Sequence, residues 1–192
     1  MALTKERLVF LATQKDIADE EPNPKDLYQI GTVGMIMRML KLPDGRVKIL
    51  VQGLTRAAIK QYMLEKPTYV VSIEKIKEAP ILQPTLEVEA MMRNVREQLE
   101  QLSSLGKVIS PEIMMIIESM NEPGRLADIV AANLGLKVEA AQNILETMEP
   151  VKRLERVNEY LVKELQVSTM QAKIQSQAKE EMDKTQREYF LR

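Results

Sequence analysis

The sequence predicts an α+β chain: a small β-rich region first, a helical bundle after it, and one long protruding C-terminal helix. Two observations carry this. Apolar residues recur at every second position up to about Pro84, and at every third or fourth position beyond it. From 151 to 192 there is neither Gly nor Pro, so nothing announces a helix stop. The expected division is 1–80 for the β-rich domain, 81–150 for the bundle and 151–192 for the long helix. The open helix end leads us to expect a piece of a longer protein.

In the first region, Leu8, Val9, Phe10 and Leu11 read as a short buried strand, and residues 19–24 as a polar loop. Residues 30–42 alternate, with Val33, Met35, Met37 and Met39 on one face and Ile36, Arg38 and Leu40 on the other. Asp44-Gly45 separates this run from Val47, Lys48, Ile49, Leu50 and Val51. Asp-Gly between two alternating runs is a hairpin signal, because Gly accepts the positive φ of the turn. Residues 57–63 and 68–76 supply two more strands, and Pro80 and Pro84 bracket a linker.

In the second region, Thr85 is an N-cap for a helix with the stripe Val88, Met91/Met92, Val95, Leu99 and Leu102, ending at Gly106. Ser110-Pro111 starts a helix that carries Ile113, Met114, Ile116, Ile117 and Met120 and stops before Pro123-Gly124. A third helix runs over 125–134 with Gly135 beyond its end. A fourth covers 138–148 with Ala141, Ile144, Leu145 and Met148 inward, and Pro150 opens the last. There Leu154, Val157, Leu161 and Leu165 form a docking stripe. Beyond Gln166 the apolar positions thin to Val167, Met170, Ile174, Ala178 and Met182. Glu159 with Lys163, Glu180 with Lys184 and Asp183 with Arg187 stand at i,i+4 in the favourable order, each worth about 0.2–0.5 kcal/mol. About 40 residues at 1.5 Å each reach about 60 Å.

Composition excludes several chemistries. Neither Cys nor His occurs, which removes disulfides, thiolate or imidazole metal sites and His-activated nucleophiles. Gly106-Lys107 lacks both the following Ser/Thr and the upstream Gly of a phosphate loop. Acidic runs such as Asp19-Glu20-Glu21 lack spaced oxygen ligands for a cation. No catalytic or metal site, and no cofactor, is expected of these residues. A net charge of −1 without a basic stripe argues against nucleic acid. No apolar stretch is long enough for a membrane span, and no signal-peptide core opens the chain, so a cytoplasmic protein is expected.

The 13 Met, against 2 Phe and no Trp, stand out. Met is flexible and polarisable and suits surfaces that accept varied apolar partners. The ordinary role of a Met-lined strand is sheet core. The functional alternative is a contact patch for unfolded segments at Met35, Ile36, Met37 and Met39. Val167, Met170, Ile174 and Met182 are the candidates for contacts between copies along the long helix.

Several segments in order resemble the Lon family of ATP-dependent proteases. They are Phe10-Leu11-Ala12-Thr13-Gln14-Lys15-Asp16, Ile30-Gly31-Thr32-Val33-Gly34, Leu40-Lys41-Leu42-Pro43-Asp44-Gly45, Gln52-Gly53-Leu54-Thr55-Arg56-Ala57, Glu122-Pro123-Gly124-Arg125-Leu126-Ala127-Asp128, and Gln186 onward. The resemblance implies the amino-terminal region of a bacterial member: a PUA-like β domain, a helical bundle, and a helix leading to an ATPase and a Ser-Lys protease domain. It implies ATP and Mg in that parent, damaged or unfolded proteins as partners, and hexamers. The family's phosphate loop and catalytic Ser and Lys have no position here. Members also begin with strands before the segment at Met1-Ala2-Leu3-Thr4, so the opening strands are expected to be missing. Substrate recognition is the expected role, and a purely structural spacer and oligomerisation module is the alternative.

Overall fold

The computed structural model describes residues 7–78 and 84–190. Expectations for Met1-Ala2-Leu3-Thr4, for the linker at Pro80 and for Arg192 lie outside those residues. So does the side chain of Arg187. The architecture is four antiparallel strands followed by five helices, as the α+β reading requires. Two compact units divide the chain: Met1–Ala79 with Lys137–Met148, and Pro80–Leu136 with Glu149–Arg192.

In the first unit, β1 (Leu8–Leu11), β2 (Ile30–Lys41), β3 (Val47–Leu64) and β4 (Val70–Lys75) form one sheet in sequence order. β1 is a strand as expected, yet Leu8 and Leu11 are 40% and 46% exposed rather than buried. The two strands expected on either side of Gln52-Gly53 are one strand of 18 residues. Its first part pairs with β2 alone and its last part pairs with β4. A register shift at Leu54 lets β3 bend at this hand-over without breaking. The hairpin turn forms where the sequence puts it. Leu42 donates to Arg46 O at 2.8 Å, and Gly45 N, with φ +84°, donates to Leu42 O at 3.1 Å.

The helix α4 (Val138–Glu146), expected in the bundle, packs on β2 in this unit. Ala141, expected inward, is exposed, and Gln142 is buried in its place. Hydrogen bonding explains the exchange: Gln142 Nε2 donates to Ile30 O and to Glu146 Oε1, both at 2.9 Å. Arg56 reaches the same helix, donating from Nε to Leu145 O at 3.0 Å, and its Nη1 pairs with Glu78 at 2.7 Å. A periodicity count sees only apolar positions, so it misses an amide that satisfies a strand carbonyl.

In the second unit, α1 (Leu86–Ser104), α2 (Pro111–Ser119), α3 (Pro123–Asn133) and α5 (Pro150–Phe190) build the core. The α1 stripe buries Val88, Met92, Val95, Leu99 and Leu102 as read from its spacing. It meets Leu154, Val157 and Leu161 of α5, and Leu126, Ala127 and Val130 of α3. Thr85 and Ser110 cap α1 and α2 through Val88 N and Ile113 N. Pro123 does not merely follow α2. It opens α3 at its first turn, where a missing N–H costs nothing. Arg153 is 1% exposed and pairs with Asp128 at 3.1 Å. Lys107 ties three elements, donating to Leu134 O at 2.6 Å and pairing with Glu164 at 3.2 Å.

Candidate functional site

The Asp44-Gly45 turn closes a two-stranded arm. Beyond the residues that pair with β1 and β4, residues 37–41 of β2 and 47–53 of β3 pair, among the described residues, with no strand other than β3 and β2 respectively. A ribbon with neighbours on neither side buries little, so its apolar side chains stay in contact with solvent.

The four candidate residues lie on this arm and its root. Met35 stands opposite Leu8 and Gln52 and is half-buried. Ile36 stands opposite Val51, is 7% exposed, and its N–H donates to Arg7 O at 2.7 Å. Met37 is the extra residue where the register steps from Ile36 to Arg38, and it is 49% exposed. Met39 faces Ile49 and is half-buried.

The expected single Met face does not form. Simple alternation would place Met35, Met37 and Met39 together. The bulge at Met37 adds one residue, and one residue reverses every side chain that follows. Met39 therefore shares a face with Ile36, Ile49 and Val51, whereas Met35 shares the other with Arg38, Leu40 and Leu50. Both faces end up apolar. Val47, Ile49, Leu40 and Leu50 are exposed on the arm, and Leu54 at its root. None of these five was singled out from the sequence. The hairpin register would have found them, since Asp44-Gly45 fixes Lys41 against Val47 and hence Met39 against Ile49.

The rim of the arm is basic: Arg38, Lys41, Arg46 and Lys48 surround it with Asp44 as the single anion. Asp44 is already engaged, at 2.6 Å from Arg46. That guanidinium hydrogen bond holds the Asp44 carboxyl below the usual range. Such a surface can remove apolar side chains of a partner from water, each worth about 1.5–3 kcal/mol when fully buried.

Val167, Met170, Ile174 and Met182 lie along α5, and each is more than half exposed. Of the i,i+4 pairs read there, Lys163 instead sits over the Tyr160 ring at 5.9 Å. Among the described residues no cluster of three or more His, Cys, Asp or Glu could hold a metal ion. No helix among them is long and apolar enough to cross a membrane.

The fold, a four-stranded antiparallel sheet followed by five helices, is similar to that of a known structure. The N-terminal domain of a Mycobacterium avium complex Lon protease superposes with a TM-score of 0.57 at 20% identity, covering 82% of this chain and 90% of that one. The family model for the ATP-dependent protease La (LON) substrate-binding domain matches residues 1–163. The chain is 59% identical over 191 residues to the Lon protease of Geobacter metallireducens and 48% identical to Lon protease 2 of Bdellovibrio bacteriovorus. It covers all of this chain but only 23% and 24% of those proteins. The chain belongs to the Lon protease family and corresponds to its N-terminal substrate-binding domain.

Proposed function

We propose that this chain is the non-catalytic recognition region of an ATP-dependent serine protease, and that the β2–β3 arm binds exposed apolar segments of unfolded or damaged proteins. The observation that carries it is the solvent-exposed apolar surface of Met37, Leu40, Val47, Ile49 and Leu50 on a ribbon with no further strand beside it among the described residues. Met35, Ile36 and Met39 form its root and flank. ATP, Mg and the Ser-Lys chemistry belong to the parent, in the cytoplasm. Binding of unfolded casein to the 192-residue chain tests the arm. A Met37→Asp/Met39→Asp double variant that keeps its circular dichroism is expected to bind at least tenfold more weakly, because two charges would be carried into a dry contact. Unchanged binding by the folded variant rules the arm out.

The second reading is a spacer and oligomerisation arm, motivated by the exposure of Val167, Met170, Ile174 and Met182 on one helix. It accords with hexamers of the parent. Sedimentation of the chain with and without the residues after Gln166 tests it: the longer form is expected to self-associate and the shorter to remain monomeric. A monomer in both forms removes this reading.

A further inference from the structure

The nine-residue helix α2 is fastened from behind and bare in front. Ile117 is its one buried side chain. Arg96 of α1 holds its C-terminal end, donating from Nε to Ile117 O at 3.1 Å and from Nη2 to Met120 O at 2.5 Å. Ser110 caps the other end, accepting from Ile113 N at 3.3 Å. With both ends secured, the helix needs no cover on its outer side. That side carries Met115 at 63% and Ile116 at 44% exposure, with Val108 at 96% just before the helix.

The charges carried by α2 itself are both negative. Glu112 and Glu118 are the only charged residues of α2, and Glu112, Met115 and Ile116 share a face at i, i+3 and i+4. Neither carboxylate has an ion-pair partner among the described residues, whereas Glu122, Glu149 and Glu164 of the same unit each have one. Glu112 stays ionised, because its own backbone N–H and then the Ser110 hydroxyl hold its carboxyl below the usual range.

We infer that the outward face of α2 is a second docking surface, whose occupant is an apolar polypeptide segment flanked by lysine or arginine. Met115 and Ile116 would take up the apolar side chains, and Glu112 and Glu118 would pair with the flanking cations. Charge complementarity selects this occupant. The inference rests on the proposal that the chain binds unfolded polypeptides, but it uses a different surface. The β2–β3 arm has a basic rim and favours the opposite flanks.

The test uses two fluorescein-labelled peptides with the same central run of six apolar residues, one flanked at each end by two lysines and the other by two glutamates. Fluorescence anisotropy with the 192-residue chain gives both affinities. The Glu112→Gln/Glu118→Gln variant is expected to bind the lysine-flanked peptide roughly tenfold more weakly and the glutamate-flanked peptide unchanged, as loss of two partly desolvated charge pairs implies. Met115→Ser/Ile116→Ser, on exposed positions, is expected to weaken the lysine-flanked peptide as well. Glu112→Lys/Glu118→Lys is expected to reverse the preference. If all three folded variants bind the lysine-flanked peptide like the native chain, α2 is not a docking surface. A loss of glutamate-flanked binding in the Met37/Met39 variant would then leave the arm proposal standing alone. If added salt leaves the lysine-flanked affinity unchanged, the charge argument is overturned.

Discussion

At the scale of single residues, Gly124 has a role that its neighbours define. It lies in the first turn of α3, buried under Arg153 and Pro150 of α5. A Cβ added there would come within 2.6 Å of Arg153 Nη2 and 3.0 Å of Pro150 Cβ. Arg153 has no room to yield, since it is buried and paired with Asp128 of α3 at 3.1 Å. Thus Pro123, Gly124 and Asp128 of one short segment start the helix, admit a guanidinium and neutralise it. Ala favours a helix over Gly by up to about 1 kcal/mol. The steric conflict outweighs this, and Gly124→Ala is expected to lower stability by about 1–3 kcal/mol in a urea titration. Asp26 gives a residue-scale prediction in pH. Its carboxylate accepts from Asn23 N at 3.0 Å, and this backbone hydrogen bond is the main cause that holds its carboxyl below the usual range. A folded value below the unfolded one adds stability above the ordinary carboxylate range. That stability is lost as the pH falls through the folded value. In NMR titrations, the Asn23 amide is expected to shift with the Asp26 carboxyl, below the midpoint of a free aspartate.

Among the elements, the β2–β3 hairpin separates what spacing can and cannot convey. Gly45 has φ +84° and nothing within 4 Å of an added Cβ. Gly45→Ala therefore meets no clash and costs only the left-handed backbone, about 1–2 kcal/mol. Weaker amide-exchange protection at Leu42 and Arg46 is the expected sign. This turn was legible because a two-residue pattern specifies it. The faces of β2 were not, because a bulge at Met37 is a relation between two strands and leaves no mark in one. The continuity of β3 was hidden for a similar reason: Gln52-Gly53 reads as a break, yet pairing with β2 carries the strand through it. The apolar stripe of α1 was legible, since a helix that buries one face must repeat along itself, but the buried Gln98 beside it was not. Of the candidate contact residues, Met37 is 49% exposed, whereas Ile36 packs inward. Leu50 and Ile49 were missed because their exposure depends on which strands pair beside the ribbon, and among the described residues none does.

For the whole molecule, chain order and spatial order part company at α4. The chain leaves the sheet unit after β4, builds α1 to α3 in the helical unit, returns to lay α4 on β2, and departs again into α5. The sheet unit is therefore completed by residues far along the sequence, and polar bonds fix that return. Gln142 is 3% exposed and bridges Ile30 O and Glu146, while Arg56 bonds Leu145 O. Replacing Gln142 with Leu keeps the volume and leaves the Ile30 carbonyl without its side-chain donor. Loss of a part-buried hydrogen bond of this kind costs about 0.5–1.5 kcal/mol. That cost falls on one unit, because α1, α3 and α5 form a core of their own around Val95, Leu99, Leu126, Val157 and Leu161. Hydrogen exchange on Gln142→Leu is expected to rise in residues 30–36 and 138–146, with protection of residues 92–102 unchanged. A parallel loss of protection in α1 would show instead that the two units open as one cooperative body.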